Sequence, residues 1–227
     1  MESSVLIKSL VKGSHNYAAG VSDQRTRLER RKARTRQALL SAAREILAAG
    51  GSTDVSIQEI TDRADVGFGS FYNHFTSKTE LFEAAVAGVL EEHGAWLQEV
   101  TAGIDDPVAV FATRFRLTAR LASSAPAVAA VFARSGMEYL ISDRGLAPMA
   151  LADLEACMDA GRLPAGNPQL ALVATGGCLL AYLQLRLTGP ELLTDDDADT
   201  LTERLLVMLG LPADEASSIA HAPLPGD

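Results

Sequence analysis

Cysteine, histidine and lysine are all rare in this 227-residue chain, and no long hydrophobic run occurs. The two cysteines, Cys157 and Cys178, fall on separate predicted helices without metal-ligand spacing. Buried thiols in a reducing compartment are therefore expected, with a redox-sensing pair as the alternative. The four histidines (His15, His74, His93, His221) form no ligand cluster, and Glu91-Glu92-His93 lacks the second His of a helical zinc site. No Walker loop, dinucleotide fingerprint or nucleophile elbow is found, so no cofactor, metal or catalytic residue is assigned. An enzyme would have to use Arg114, Arg134, Glu138 and Asp143, the only crowded titratable groups, and their spacing specifies no reaction. The most apolar stretch, Leu170 to Leu185, is sixteen residues without a charge, short of the roughly 20 that a membrane helix needs. Near the start, Val5-Leu6-Ile7 is interrupted by Lys8 with no cleavage site after a long apolar run. A secretory leader is not expected, and a cytoplasmic location is.

Aromatic residues are also scarce (one Trp, four Tyr, seven Phe), yet four of the rings lie between Val66 and Lys78. A helix turns such a run (Val66-Gly67-Phe68-Gly69-Ser70-Phe71-Tyr72-Asn73-His74-Phe75-Thr76-Ser77-Lys78) to every side, so some rings must meet solvent or a partner. Helix-start chemistry brackets the run. Ser56-Ile57-Gln58-Glu59 and Ser77-Lys78-Thr79-Glu80 both fit the capping box, and Val55 with Ile60 fits the hydrophobic staple. A short helix from about Ile57 to Ala64, a tight Asp65-Val66-Gly67 turn and a two-turn helix ending near Phe75 make a helix-turn-helix. In that motif the second helix enters the major groove of DNA.

Net charge is −9, which by itself argues against nucleic acid; its distribution argues the other way. Residues 1–78 carry 12 Lys/Arg against 8 Asp/Glu, and residues 79–227 carry 8 against 21. Arg25, Arg27, Arg30, Arg31, Lys32, Arg34, Arg36 and Arg44 crowd twenty residues that hold a single acid, Glu29. A basic run is often only a solvated helix face, but beside a helix-turn-helix it reads as a DNA-facing surface on an acidic body.

From about Arg34 to Leu97 the chain resembles the DNA-binding domain of the TetR/AcrR family of transcriptional regulators. The resemblance rests on Thr35-Arg36-Gln37-Ala38-Leu39-Leu40-Ser41-Ala42-Ala43, Val55-Ser56-Ile57-Gln58-Glu59-Ile60, the aromatic run, and Ser77-Lys78-Thr79-Glu80-Leu81-Phe82, in that order. It implies that Gly67, Phe68, Gly69 and Ser70 read base edges, and that Tyr72, Asn73, His74 and Lys78 face the DNA backbone. Phe71 and Phe75 would pack against Leu39, Ala43, Ile46 and Ile60. Ser56 would meet a phosphate at a helix start, Gln58 would reach a base, and Thr35 and Arg36 would touch the backbone. Two residues depart from the family pattern. Phe68 replaces a commonly polar residue, and either meets a thymine methyl or packs on Tyr72. Asp65 stands where many members have Gly; Asp tolerates the left-handed turn, though its charge would lie close to DNA.

After Lys78 the spacing is helical throughout, so an all-α fold is expected: a helix-turn-helix domain followed by a helical ligand-binding and dimerisation domain. Helices are predicted near 106–123, 127–134, 147–160 and 198–209. The expected divisions are a flexible arm at 1–24, the DNA-binding domain at 25–78 with a connecting helix to about 97, the effector and dimerisation domain at 79–214, and a loose tail at 215–227. The family resemblance implies an effector pocket, and Phe111, Phe115, Phe132, Met137, Tyr139, Met149 and Met158 suggest an apolar ligand, although ordinary core packing needs the same stripes. Asn167-Pro168 starts and Gly189-Pro190 stops a helix apolar on all sides, which must be buried all round. Burial against its own domain and a second subunit accounts for it, with Gly176, Gly177, Leu180, Leu201, Leu205 and Met208 at a homodimer interface. The expected partners are thus double-stranded operator DNA, a second copy of the chain and an apolar small molecule, with no membrane.

Overall fold

The computed structural model describes residues 27–49, 54–140 and 145–225, without the side chains of Ser135 and Tyr139. The expectations for the arm at 1–24, for Arg25, and for Tyr139 and Asp143 lie outside the described residues. All regular structure among those residues is helical: α1 at 27–48, α2 Ile57–Arg63, α3 Phe68–Phe71, α4 Lys78–Thr101, α5 Pro107–Ala119, α6 Leu121–Ser124, α7 Pro126–Leu140, α8 Ala147–Asp159, α9 Pro168–Thr188, α10 Asp195–Met208 and α11 Ala213–Ala220. The all-α expectation is met.

Local chemistry sets the boundaries. The Ser56 and Ser77 hydroxyls accept from the Glu59 and Glu80 amides, each at 3.1 Å. The second box is displaced by one residue, because the Glu80 carboxylate takes the Thr76 amide at 2.7 Å and the Thr76 hydroxyl at 2.6 Å. Asp106 and Asn167 cap α5 and α9, each followed by proline in the first turn. Three helices end alike, with the third amide past the end bonding to the carbonyl five residues back: Val66 to Thr61 at 3.0 Å, Arg162 to Cys157 at 2.9 Å and Leu211 to Leu206 at 3.0 Å. Such an end needs a left-handed residue, supplied by Gly161 (φ 65°) and Gly210 (φ 105°) in two cases and by Asp65 (φ 53°) in the third.

Several boundaries differ from expectation. The 106–123 segment breaks at Arg120 into α5 and α6, and α7 runs to Leu140 rather than 134. Regular helix in α3 stops at Phe71, followed by turns at 72–74 in which Phe75 still donates to the Phe71 carbonyl at 3.0 Å. The described part of the tail, 215–225, is not loose. It holds most of α11, buries Ala216, Ala220 and Leu224, and is tied down where Arg116 donates to the Ala222 carbonyl at 2.7 Å and Arg162 pairs with Glu215 at 2.7 Å. Short side chains among acids disguise an amphipathic helix in that segment. The α9 helix spans 21 residues, longer than its uncharged stretch, and by length and composition alone it could cross a membrane. Its inner face instead packs on α7 and α8.

Two apolar clusters organise the molecule. One joins Leu39, Leu40, Ala43, Ile46 and Leu47 of α1 with Ile60, Phe71, Phe75, the inner face of α4 from Leu81 to Leu90, and Val131 and Phe132 of α7. The other, inside the body, gathers Phe111, Phe115, Leu154, Cys157, Leu172, Leu205 and Leu206. Asp199 of α10 binds both Arg116 (2.8 Å) and Arg120 (2.7 Å) of the α5 end, pinning the two helices together.

Candidate nucleic-acid interface and effector cavity

The basic run is helical from residue 27, so α1 begins earlier than the matching segment and projects Arg27, Arg30, Arg31, Lys32 and Arg34 into solvent. Its inner side packs on Phe71 and Phe75, both buried as expected, and this contact sets the position of α3. Arg36 lies over the Phe75 ring at 5.1 Å, so its charge stays at the surface while its guanidinium is held in place. Between α1 and α3 a concavity of about 380 Å³ is lined by Leu28, Arg31, Lys32, Thr35, Ser70, Asn73 and His74. Partial burial, then Lys32 and Arg36, lower the His74 pKa. The ring is therefore a neutral hydrogen-bonding group in a basic cleft.

Gly67, Phe68 and Gly69 stand exposed at the start of α3, with Phe68 47% and Tyr72 58% exposed. The Phe68 and Tyr72 rings meet edge to face at 6.0 Å, so packing on Tyr72 is realised and half of Phe68 still remains free. A helix of four residues presents few side chains at once, and two glycines let the backbone come close to whatever it meets. Ser56 and Gln58 are exposed on α2, where Gln58 donates to Asp62 at 2.6 Å. Lys78 is more committed than its sequence context implies: its Nζ donates to the Val55 carbonyl at 2.8 Å, tying the start of α4 to the start of α2.

In the body, Leu90, Phe132, Leu140, Leu146, Ala147, Ala150, Leu172, Gly176, Leu179 and Leu180 line an apolar cavity of about 80 Å³ between α4, α7, α8 and α9. Of the described residues expected at an effector pocket, only Phe132 is in this wall. Phe111 and Phe115 pack in the body core, Met158 packs at its edge, Met149 is half-buried, and Met137 is 60% exposed. Aliphatic residues form the cavity, which is why a search for aromatic and sulfur side chains missed it. Apolar residues three or four apart on one face of α9 (Leu172, Gly176, Leu179, Leu180) were the available signal.

The expected dimer residues also divide. Gly176 faces inward, where an added Cβ would strike Leu140, and Leu180 lines the cavity. Leu205 is buried in its own core, and Leu201 packs against it. Gly177 borders open space, and Met208 is exposed, as are Leu170, Val173, Leu185 and Val207. Burial, followed by Asp153 and Asp106, pushes the Cys157 thiol up to about 12, leaving scarcely any thiolate at that cysteine. Arg114, one of the crowded titratable groups, is engaged by Asp153 at 2.6 Å. Among the described residues no group of three or more His, Cys, Asp or Glu could hold a metal ion.

A basic, aromatic helix-turn-helix on a larger helical body defines a DNA-binding regulator with a separate sensory domain. Residues 39–85 match the model described as bacterial regulatory proteins of the tetR family, and residues 106–222 match the tetracyclin repressor-like C-terminal domain. The chain belongs to the TetR family of bacterial transcriptional regulators, a regulator family and not an enzyme family. Among solved structures it is similar to RolR without ligand (32% identity over 83% of this chain and 98% of that one, TM-score 0.67). The complex of RolR with resorcinol is matched at 31% identity over 87% and 98%, TM-score 0.63. NalD of Pseudomonas aeruginosa, the secondary repressor of the MexAB-OprM efflux pump, shares the fold at 22% identity over 78% and 96%, TM-score 0.57. No curated protein sequence matches the chain.

Proposed function

We propose that this protein is a cytoplasmic, homodimeric repressor that leaves a palindromic operator when a compact, mainly apolar molecule occupies the body cavity. The observation that carries the reading is the cavity wall: Leu90 belongs to α4, the helix that leaves the DNA-binding head, and Phe132 belongs to the same apolar cluster as Phe71 and Phe75. An apolar cavity of about 150 Å³ can hold benzene, so one of about 80 Å³ must widen to admit a ring. Occupancy would then separate α4 from α7 and α9 and change the spacing of the two heads. The resorcinol complex of RolR supports a single-ring effector, and the exposed stripe of α9 with Val207 and Met208 of α10 supports a two-fold dimer. Half-sites should lie about 34–36 Å apart or a multiple of that.

In this reading Gly67 to Ser70 and Gln58 face bases, while Tyr72, Asn73, His74, Ser56, Thr35, Arg36 and Lys78 face phosphates. Genomic fragments selected by the purified protein should share an inverted repeat, and resorcinol is the first compound to test for release. Tyr72→Ala should weaken all sequences about equally, whereas Gln58→Ala should change preference at one position by about 1–3 kcal/mol. Ala150→Phe fills the cavity and should abolish release with operator affinity kept within about twofold. Release of that variant as readily as wild type would overturn the cavity assignment.

A further inference from the structure

Helix α1 carries one continuous stripe along the side it turns towards α3, at positions 28, 31, 32, 35, 39, 43 and 46. The downstream part, Leu39, Ala43 and Ile46, is buried in the apolar cluster with Phe71 and Phe75. Upstream the same stripe changes chemistry. Leu28, Arg31, Lys32 and Thr35 line the cleft of about 380 Å³, and Ser70, Asn73 and His74 form its other wall. Core packing would continue the stripe in apolar residues, whereas two cations in a cleft wall call for a negative partner.

These charges are uncompensated within the chain. In the body, Arg114, Arg116, Arg120, Arg162 and Arg186 each meet a carboxylate within 3.1 Å. Arg31 and Lys32 are exposed, no ion pair among the described residues engages either, and the cleft lining holds no acid. The rest of the lining offers donors: the Thr35 and Ser70 hydroxyls, the Asn73 amide and the neutral His74 ring. An anion that accepts several hydrogen bonds at once fits that set.

Position identifies the anion. A helix with its side chains is about 10–12 Å across, close to the width of the major groove, so a helix seated there has a phosphate strand on each side. The cleft opens beside α3, in the path of one of those strands. We infer that the cleft holds one phosphodiester of the operator backbone in each subunit, with Arg31 and Lys32 supplying the charge. Both residues precede the segment that matches the family's DNA-binding model, residues 39–85, so the contact is an addition to the helix-turn-helix. It rests on the DNA-binding reading above. Phosphate contacts position a protein without reading sequence, so these two residues set affinity and salt dependence rather than operator choice.

The test is fluorescence anisotropy of the full-length protein at increasing salt, on its operator and on a random duplex. Each neutralised phosphate contributes about 0.9 to the slope of log affinity against log salt, so Arg31→Gln combined with Lys32→Gln should lower the slope of a dimer by about 1.8 on both duplexes. Both side chains are exposed and Gln is nearly as good a helix former, so the fold is kept. Preference for operator over random duplex should hold within about twofold. Arg204→Gln, which removes an exposed charge from the body, should leave the slope unchanged. Replacing operator phosphates one at a time by methylphosphonate should reveal a position in each half-site that weakens the wild type and not the double variant. An unchanged slope in the double variant would overturn the assignment, as would an equal fall with Arg204→Gln or the absence of any such position. Tighter wild-type binding to single-stranded RNA than to duplex DNA, lost in the double variant, would give the cleft to another nucleic acid and overturn it too. If the wild type prefers no sequence, the operator reading fails by itself, and the slope on random duplex still tests the cleft.

Discussion

Asp65 holds a left-handed backbone position (φ 53°) at the turn of the DNA-binding head, with its amide bonded to Asp62 and the next amide to Thr61. A left-handed residue with a Cβ costs roughly 1–2 kcal/mol, less for Asp, while glycine loses about 0.5–1 kcal/mol more backbone entropy on folding. Asp65→Gly should therefore change stability by no more than about 1 kcal/mol in urea unfolding, in the stabilising direction. It also removes a negative charge close to the expected phosphates, so operator affinity should rise severalfold at low salt, with the gain shrinking as salt increases. Weaker binding at low salt would contradict the placement of this turn beside DNA. His93 offers a test of a different kind. Burial lowers its pKa to about 4, whereas the unfolded chain takes up the proton near 6.5. The unfolded state then binds more protons between those values, so stability is full above about pH 6.5 and falls as pH drops towards 4, by roughly 3 kcal/mol across the window. His93→Gln keeps a donor for Thr118 and cannot titrate, and should flatten urea-unfolding free energies between pH 7 and 4.5. An unchanged slope in that variant would show that other groups govern the acid limb.

The elements differ in how openly the chain announces them. The head was legible almost residue by residue, because Ser56 and Ser77 cap, Asp65 turns, and Phe71 and Phe75 alternate with exposed Tyr72 in a pattern that only a short helix against α1 satisfies. In the body the helices were legible and their inner faces were not. Helix α9 is apolar on every side, so its periodicity gives no clue that Gly176 faces Leu140 while Gly177 faces open space. Nor could local pattern reveal that Leu205 is consumed by its own core, or that α11 is pinned by Arg116 and Arg162 from far along the chain. What remains outside on α9 is a stripe running through Leu170, Val173 and Gly177, and only a third of its most apolar window is buried within one chain. An exposed apolar stripe of this kind calls for a partner surface. Val173→Glu should convert the proposed dimer to monomer in light scattering at micromolar concentration while helicity by circular dichroism is preserved. A wild-type protein that is already monomeric would refute the two-fold arrangement and, with it, the palindromic operator.

At the scale of the whole molecule, the head has no core of its own. One cluster runs from Phe71 and Phe75 beneath the DNA-facing surface, through α1 and α4, to Phe132 at the edge of the body cavity. Polar ties cross the same junction, Arg44 to Glu92 and Arg134 to the Leu47 carbonyl at 2.9 Å. Glu92 is well exposed in the first of them, and a pair in that setting contributes little. In the proposed reading, close-packed apolar contact is therefore the main route by which cavity occupancy would reach the head. Phe132 sits where this route begins, touching His93 on one side and the cavity on the other. Phe132→Leu removes part of the ring's bulk and enlarges the cavity at a stability cost of about 1–2 kcal/mol. Effector affinity measured without DNA should stay within about tenfold of wild type, because the added room offsets the lost contact. The ratio of operator affinities with and without saturating effector should fall from within the ordinary allosteric range of about 5–150-fold towards one. Calorimetry for the effector and fluorescence anisotropy for the operator separate the two quantities. If both the affinity and the ratio survive the substitution, coupling runs through the backbone of α4 alone and the shared core is not its carrier.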